Sequence, residues 1–192
     1  IADLYYDKLP DYMTVIFKLT TEAIQGDPEE KVQMAAIEFW STLAYTEQIL
    51  LDEELAWLED GTALDRPACP QYVKAAMESL VPILLTTLSK QDEDADDDEL
   101  DLQSHGASCI EIISQTVEAL IVPVVIPFVQ SNITHENWRL RDAGIVAFTC
   151  ILDGPSTQVV GQYVSESILA TIDGFHDPTV AVRDSATHGV RP

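Results

Sequence analysis

Basic residues are scarce in this sequence. Its 192 residues include 10 lysines and arginines against 33 aspartates and glutamates, so the formal net charge is −23. A chain with this charge is repelled by nucleic-acid backbones and by anionic membrane surfaces, and we expect neither as a partner. A basic partner is the natural expectation, although strong acidity can also serve solubility alone.

Cysteine and long apolar runs are scarce as well. The three cysteines, Cys69, Cys109 and Cys150, are spaced about forty residues apart without a Cys-x-x-Cys pair, which favours reduced thiols in a cytosolic or nuclear protein. The longest apolar run, residues 117–129, is interrupted by a glutamate and two prolines and is too short to span a bilayer. The chain starts without a methionine and without the segments of a signal peptide, so we expect a piece of a longer chain.

Motifs of enzymes and metal sites are missing from the sequence. It contains no His-Glu-x-x-His, no Gly-x-Ser-x-Gly, no phosphate-binding loop and no dinucleotide-binding glycine pattern. The histidines, His105, His135, His176 and His188, lack the spacing to one another or to cysteines that a metal site needs. We therefore predict a protein that is not an enzyme and that binds no cofactor and no metal.

Apolar residues recur at helical spacing along almost the whole chain. One stripe consists of Met13, Ile16, Phe17, Thr20 and Ile24, which follow the spacing of an amphipathic helix. No stretch shows the sustained two-residue alternation that a half-buried strand produces. The sequence therefore predicts an all-α fold.

The helical segments are separated by turns and repeat with a regular period. The turns at residues 26–28, 153–155 and 176–178 combine an aspartate with a proline, which suits the start of a helix. Residues 140–143 match residues 182–185 with a shift of 42. A period in the low forties is typical of HEAT or armadillo-type solenoids, and units of two helices favour HEAT.

We predict a single HEAT-repeat solenoid, an α–α superhelix of about four antiparallel helix pairs. The predicted repeats cover about residues 10–58, 70–117, 119–152 and 155–190, with a linker at 60–69 and an acidic loop at 91–101. The chain stops within the fourth repeat, so we expect the second helix of that repeat to be truncated.

The acidic loop is the most highly charged segment, with eight acids in the ten positions 92–101. No lysine or arginine occurs between Gln91 and Trp138 to neutralise it. The segment has three interpretations: a solvated loop without a role, a docking site for a segment rich in lysine and arginine, or a calcium site. Calcium is disfavoured because the EF-hand positions of the glycine and the last glutamate are Asp97 and Gln103.

Residues on the predicted second helices are candidates for the same docking role. These helices line the concave side of a HEAT solenoid, so Glu38 and Glu111 are expected to add to the negative field there. Trp138 begins a second helix and is expected to lie partly exposed on that inner face. Arg141 and Arg183 are each followed by an aspartate, and we expect these pairs to bond acids of adjoining repeats and to fix the stacking.

Seven segments carry a likeness to a known family, in matching order and spacing. They are Leu4-Tyr5-Tyr6, Ile37-Glu38-Phe39-Trp40, Leu80-Val81-Pro82-Ile83-Leu84, Lys90-Gln91-Asp92-Glu93, Trp138-Arg139-Leu140-Arg141-Asp142-Ala143, Cys150-Ile151-Leu152-Asp153-Gly154-Pro155 and Val182-Arg183-Asp184. Together they resemble the importin-β (karyopherin-β) family over essentially the whole chain. The resemblance implies a central portion of that family's HEAT-repeat array, including its acidic loop.

The resemblance implies a nuclear transport receptor found in the cytoplasm, in the nucleus and at the nuclear pore. The implied partners are importin-α, through its basic amino-terminal segment, or basic cargo signals; Ran in its GTP form, which releases the cargo; and nucleoporins with Phe-Gly repeats. Neither nucleic-acid binding nor membrane insertion is expected. The alternative left open is a generic HEAT scaffold subunit of another complex, such as a phosphatase or a chromosome-associated assembly.

The resemblance also implies roles for particular residues. Contacts of the acidic loop with Ran and with the cargo-side helix are assigned by position to Asp92, Glu93, Asp94, Asp96, Asp97, Asp98 and Glu99. Leu100 departs from the family, which often has a tryptophan after the acidic run, so the aromatic contact is not predicted here. Tyr12 and Ile16, on the outer side of the first helix, are assigned to a Phe-Gly pocket.

Overall fold

Helices follow one another along the chain. The structure, a computed structural model, describes residues 5–61, 66–91 and 101–189, and no strand occurs within those ranges. The α-helices are α1 Met13–Gly26, α2 Glu30–Glu59, α3 Tyr72–Thr87, α4 Leu102–Val117, α5 Val122–Asn132, α6 Trp138–Cys150, α7 Thr157–Gly174 and α8 Val180–His188. Short 3-10 helices at Tyr6–Asp11 and Glu118–Ile121 lead into α1 and α5.

These helices pack as successive pairs in two layers. Within the pairs, α1 contacts α2, α3 contacts α4, α5 contacts α6 and α7 contacts α8. The odd-numbered helices contact one another in order and form what we call the first-helix layer, and the even-numbered helices form the second-helix layer in the same way. The all-α stack of helix pairs predicted from the sequence is therefore confirmed, while the proposed division into four repeats stays a prediction.

Each turn into a second helix is fixed by a short polar side chain. Before α2, α4, α6 and α8, a side-chain oxygen accepts a hydrogen bond from a backbone N–H two or three residues later, at 2.8 to 3.0 Å. The four accepting residues are Asp27, Asp101, Asn137 and Asp177. Asp101 and Asn137 thereby cap α4 and α6, because they satisfy donors that the first turn of a helix leaves unpaired. Asp27 and Asp177 instead bond the residue directly before α2 and α8 and fix the turn itself.

The core lies between the two layers. Trp40 of α2 is fully buried there, and its indole N–H donates to the hydroxyl of Thr20 on α1 at 2.9 Å. The rings of Phe17 and Phe39 meet that indole edge-on, with centroids 5.9 and 5.5 Å away. Aromatic pairs in this geometry stabilise a core beyond the area that they bury.

Helix α6 crosses the end of α5 at Gly144. A Cβ atom at this position would lie 2.7 Å from the backbone nitrogen of Ile133, which is closer than van der Waals contact allows. The close approach therefore requires glycine, and any larger residue would push the two helices apart.

By length and composition alone, the stretch Leu102–Asn132 is long and apolar enough to cross a membrane. The sequence analysis considered only residues 117–129 and therefore underestimated the length of this apolar stretch. In the structure this stretch is divided, because Glu118 has a φ of 51° and ends α4 before the 3-10 turn. Side chains such as Ile113, Ile121 and Val125 are fully buried in the core. Their apolar character is therefore explained by packing between the two layers.

Candidate functional site

A groove opens between α1 and α3 in the first-helix layer. Its volume is about 330 Å³. The lining residues are Met13, Thr14, Phe17, Trp40, Tyr72, Ala75, Ala76 and Ser79. We call it the α1–α3 groove. Aromatic rings and a methionine form the floor and one wall, while small side chains of α3 leave space opposite, so the groove suits a single large apolar side chain.

The wall of the groove at Tyr72 is held by a buried carboxylate. Glu47 of α2 is 0% exposed and accepts hydrogen bonds from the backbone N–H groups of Tyr72 and Val73, at 2.6 and 3.1 Å, where α3 begins. It also accepts the hydroxyl of Tyr6 at 2.8 Å, and the Tyr6 ring lies 5.6 Å from the Tyr72 ring. A carboxylate at a helix N-terminus satisfies unpaired donors and is stabilised by the helix dipole.

Burial dominates the ionisation of this cluster. Desolvation raises the pKa of Glu47 above the ordinary glutamate value, against the hydrogen bonds from Tyr6 and the α3 backbone, which lower it. Desolvation likewise raises the pKa of the Tyr6 hydroxyl, with further increases from its hydrogen bonds to Cys69 and Glu47. Sequence reasoning missed Glu47 because nothing in its neighbourhood along the chain distinguishes it from the exposed acids.

The two residues predicted for a Phe-Gly pocket lie beside the groove. Tyr12 is 61% exposed and directly precedes α1, and Ile16 is partly buried one turn further along. Neither of them lines the groove, whereas Met13 and Phe17 of the same helix do. The sequence predicts the apolar stripe that contains Ile16 and Phe17, but it does not predict which side of α3 faces that stripe.

The second-helix layer carries exposed acids. Helix α2 contains seven acidic residues and one lysine. Glu38 of α2 and Glu111 of α4 are exposed on adjacent helices, and no described basic side chain forms an ion pair with either. Burial raises the pKa of the Cys150 thiol on α6 to about 12, and the negative charge of Glu111 adds to this shift. These carboxylates are available to a cationic partner.

Other acids of α2 already have a partner. Arg66 donates to Glu54 at 3.0 Å, to Glu53 at 3.3 Å and to the carbonyl of Leu50 at 2.8 Å. The arginine therefore ties the residues that follow α2 back onto its C-terminal part. Its charge offsets the negative charge at that end of the helix, in contrast to the surroundings of Glu38.

Trp138 lies where α6 begins, partly buried, with the Arg139 guanidinium 4.6 Å from its ring centroid. Such a contact is a cation–π interaction, which places a positive charge over one face of the indole. A partner approaching Trp138 therefore meets Arg139 as well as the ring.

Of the two arginines predicted to fix the stacking, Arg141 joins neighbouring turns and Arg183 does not. Arg141 donates to both carboxylate oxygens of Asp177, at 2.7 and 3.0 Å, and to the carbonyls of His135 and Glu136, both at 2.8 Å. The hydrogen bond from Arg141 lowers the pKa of Asp177. The predicted bond to an adjoining acid is thus confirmed for Arg141. Arg183 instead donates to the carbonyls of Asp177 and Pro178 in its own turn.

The acidic residues 92–99 and Leu100 lie outside the described residues. Within the described ranges, no group of three histidine, cysteine, aspartate or glutamate side chains could hold a metal ion. The described surface offers an apolar groove on the first-helix layer and, on the second-helix layer, exposed carboxylates that no described basic side chain pairs with.

No protein-family profile matches the chain. It is 34% identical over 186 residues to importin subunit beta-1 of Schizosaccharomyces pombe and 38% identical over 188 residues to importin subunit beta-1 of Arabidopsis thaliana. Each match covers 96% of this chain and 21% of the relative, so the chain spans about a fifth of the length of these relatives.

Solved structures give the same result. An importin beta crystal structure superimposes with a TM-score of 0.87 at 34% identity, over 98% of this chain and 22% of that one. Kap95p, which is yeast importin-beta, has been solved with RanGDP, whose switch loops it induces to adopt the GTP-bound conformation, and in a complex with Nup1. Those two chains superimpose with TM-scores of 0.88 and 0.87 at 27% identity, again over 98% of this chain, which covers 22% and 21% of them.

Proposed function

Because the chain belongs to the importin-β family, we propose that it forms the central part of a nuclear transport receptor that moves between the cytoplasm and the nucleus through the nuclear pore. The observation that carries this proposal is the similarity to importin subunit beta-1 along 96% of the chain. Binding in place of catalysis accounts for the exposed surface, which offers an apolar groove and carboxylates that form no ion pair with a described basic side chain.

The second-helix layer binds the basic segment of importin-α or a basic cargo signal. Glu38 of α2 and Glu111 of α4 supply exposed carboxylates for this contact, and Trp138 at the start of α6 supplies an aromatic one. The seven acids at residues 92–99 extend the negative field. Each exposed ion pair contributes only about 0.2–1 kcal/mol, so affinity comes from many contacts and falls as salt screens them. Because each contact is weak, the basic segment can be released when another ligand binds the receptor, and Ran in its GTP form has that role.

The α1–α3 groove takes phenylalanine side chains of Phe-Gly nucleoporins. Its size, its aromatic floor and its small residues on α3 match a phenyl ring, and the glycine next to that ring lets a peptide backbone come close. Tyr12 and Ile16, at the edge of the groove, are proposed to contact the residues that flank the phenylalanine. The Nup1 complex of Kap95 supports nucleoporins as the class of partner.

A binding measurement with charge-matched variants tests the basic-segment proposal. Fluorescence anisotropy gives the Kd of a labelled importin-α amino-terminal segment for the chain at rising salt. Replacing Asp96, Asp97 and Asp98 by asparagine should raise the Kd by about tenfold at low salt, with a smaller ratio at high salt.

The matched control neutralises three exposed acids, one in the 3-10 helix before α1 and two in the first-helix layer, in the triple variant Asp11→Asn, Glu22→Gln and Glu78→Gln. It removes the same amount of charge from residues outside the proposed contact with the basic segment and should change the Kd by less than about twofold. An equal loss of affinity in both triple variants would show that the basic segment is attracted by the net charge of the chain alone. An absence of binding by the unmodified chain at low salt would favour the generic HEAT scaffold.

A further inference from the structure

Two cavities meet between α5 and α7 in the first-helix layer. The first, which we call the α5–α7 gap, has a volume of about 280 Å³, and its described lining residues are Gln130, Ile133, Thr134, Ser167 and Ala170. The second, which we call the turn cavity, has a volume of about 240 Å³. It shares Ile133, Thr134 and Ala170 with the gap and extends to Ile145, Asp173 and Val182. The two cavities therefore form one continuous channel.

The floor of the turn cavity is apolar and closed. Ile145 of α6 and Val182 of α8 are each 1% exposed, and Ile133 is 8% exposed. Gly174 of α7 allows this close packing, because a Cβ atom there would lie 3.0 Å from side-chain carbons of both Ile145 and Ala186. An aliphatic side chain that enters the channel is therefore removed from water against a preformed apolar surface, which favours its binding.

The rim of the channel is polar and negatively charged. Gln130 and Thr134 are exposed, and their amide and hydroxyl groups can exchange hydrogen bonds with a peptide backbone. Asp173 is exposed as well, and within the described ranges no basic side chain forms an ion pair with it. The guanidinium of Arg141 already donates to both carboxylate oxygens of Asp177, so these two charges offset each other. The charge that remains for a ligand at this end is that of Asp173.

We propose that this channel binds an extended peptide in which an aliphatic residue is followed, two positions later, by a lysine. Side chains two positions apart in an extended chain point to the same side, roughly 7 Å from each other. Ala170 and Asp173 lie one turn apart on α7, about 5 Å along the helix, and a flexible lysine can match that distance. The aliphatic side chain contacts the apolar floor while the lysine pairs with Asp173. An ammonium suits this single carboxylate, whereas the planar fork of arginine favours two acceptors.

Nuclear magnetic resonance with a designed peptide tests the proposal on the isotope-labelled chain. The probe is the peptide Gly-Ser-Leu-Ser-Lys-Ser-Gly, and the backbone amide signals of Thr134, Ala170 and Gly174 should shift with its concentration and give the Kd. Serine in place of the peptide leucine should raise the Kd by at least about tenfold, because the apolar contact is lost. Phenylalanine in place of the leucine should also weaken binding, since its ring would leave polar groups of the channel without hydrogen-bond partners.

Variants of the chain test the two contacts separately. Asp173→Asn should raise the Kd of the leucine peptide by about two- to fivefold at low salt, and the ratio should approach one as salt is raised. The matched control is Glu78→Gln, which neutralises an exposed acid of α3 in the same layer and should leave the Kd nearly unchanged. Thr134→Trp fills the channel from its exposed rim and should abolish the shifts at Ala170 and Gly174. Signals far from the channel show in the same spectra that each variant is folded.

Several outcomes would overturn the proposal. One is the absence of shifts at Thr134, Ala170 and Gly174 at millimolar peptide, and another is an equal Kd for the leucine and serine peptides. An equal loss of affinity in Asp173→Asn and Glu78→Gln would show that the peptide responds only to the net charge of the chain. Tighter binding of the phenylalanine peptide would assign the channel to aromatic ligands. None of these results depends on whether a basic segment or a Phe-Gly peptide binds elsewhere on the chain.

Discussion

The two layers of helices present different chemistry to a partner. The first-helix layer offers the apolar α1–α3 groove, with Phe17 and Tyr72 among its lining residues. The second-helix layer offers exposed carboxylates, among them Glu38 and Glu111. Because one core separates the layers, we expect that an apolar side chain and a basic segment can be bound at the same time. The difference between the layers thus assigns each proposed partner to its own side.

A second gap between first helices shows what the groove depends on. The gap between α5 and α7 has a volume of about 280 Å³ and is lined by Gln130, Ile133, Thr134, Ser167 and Ala170. Amide and hydroxyl groups stand here where the α1–α3 groove has aromatic rings. A phenyl ring placed among them would leave polar groups without hydrogen-bond partners. Side chains, and not the spacing of the helices alone, therefore decide which gap can bind phenylalanine.

The largest effect is expected from Trp40, which belongs to both the groove and the core. Trp40→Ala leaves a cavity between the layers and should lower the free energy of unfolding by about 3–5 kcal/mol. Thr134→Ala, in the lining of the α5–α7 gap, removes an exposed side chain and should change the free energy of unfolding by less than about 0.5 kcal/mol. Urea denaturation followed by circular dichroism measures both. Equal stabilities of the two variants would contradict the packing described for Trp40.

Filling the groove should separate the two partners. Ala75→Trp places an indole in the α1–α3 groove and should weaken the binding of a Phe-Gly peptide by at least about tenfold through steric exclusion. The Kd of the basic importin-α segment should stay the same. Thr134→Trp, which fills the α5–α7 gap, is the matched control and should leave both affinities unchanged. Isothermal titration calorimetry gives these Kd values. A loss of Phe-Gly binding in Thr134→Trp would show that the peptide binds the α5–α7 gap and not the α1–α3 groove.

Reversing charge on the second-helix layer should give the opposite result. The double variant Glu38→Lys and Glu111→Lys should raise the Kd of the basic segment by about three- to tenfold at low salt. The effect is moderate because each exposed ion pair is weak, although repulsion replaces attraction at both positions. Phe-Gly binding should be unaffected. The ratio of the two Kd values should approach one as salt is raised, because the exposed charges are screened. A ratio that does not depend on salt would mean that the substitutions act through the fold.

The smallest effect is a pH dependence at Glu47, which fixes the groove wall. The pKa of this carboxyl is raised in the folded chain, so the folded state binds its proton more tightly than the unfolded state. Its contribution to stability is therefore full below the ordinary glutamate pKa and is lost as the pH rises through the raised pKa.

Comparison with Glu47→Gln isolates this contribution, since glutamine does not titrate. The unfolding free energy of the unmodified chain minus that of the variant should decrease with rising pH across this window. Gln115→Ala changes no titratable group, so the corresponding difference for it should stay level. A difference for Glu47→Gln that grows with pH would show that the carboxylate form is the one that the fold favours.

Local signals explain which parts of the structure could be predicted from the sequence. The apolar stripe from Met13 to Ile24 and the aspartates at the turns act within one or two helical turns of their own position, so the helices and the all-α class were predictable. The pairing of Tyr6 with Glu47, which are 41 residues apart, depends on tertiary packing and leaves no local trace.

The site was less accessible to sequence reasoning for the same reason. The groove needs Phe17 on one helix and small residues such as Ala76 on another, and only the stacking of α1 on α3 brings them together. The exposure of Glu38 and Glu111 followed from helix periodicity, whereas the hydrogen bonds from Gln91 and Gln103 to buried Asp142 of α6 join separate parts of the chain. The roles of the acids at residues 92–99 and of Tyr12 and Ile16 stay predictions.

The most direct test of the central claim, that each layer binds its own partner, is a titration with both ligands present. A Phe-Gly peptide is added to the chain alone and to the chain saturated with the basic importin-α segment, and its Kd is measured in each case. We predict the same Kd in both titrations, since the two ligands occupy opposite layers. Displacement of one ligand by the other, or binding of only one of them, would contradict the account.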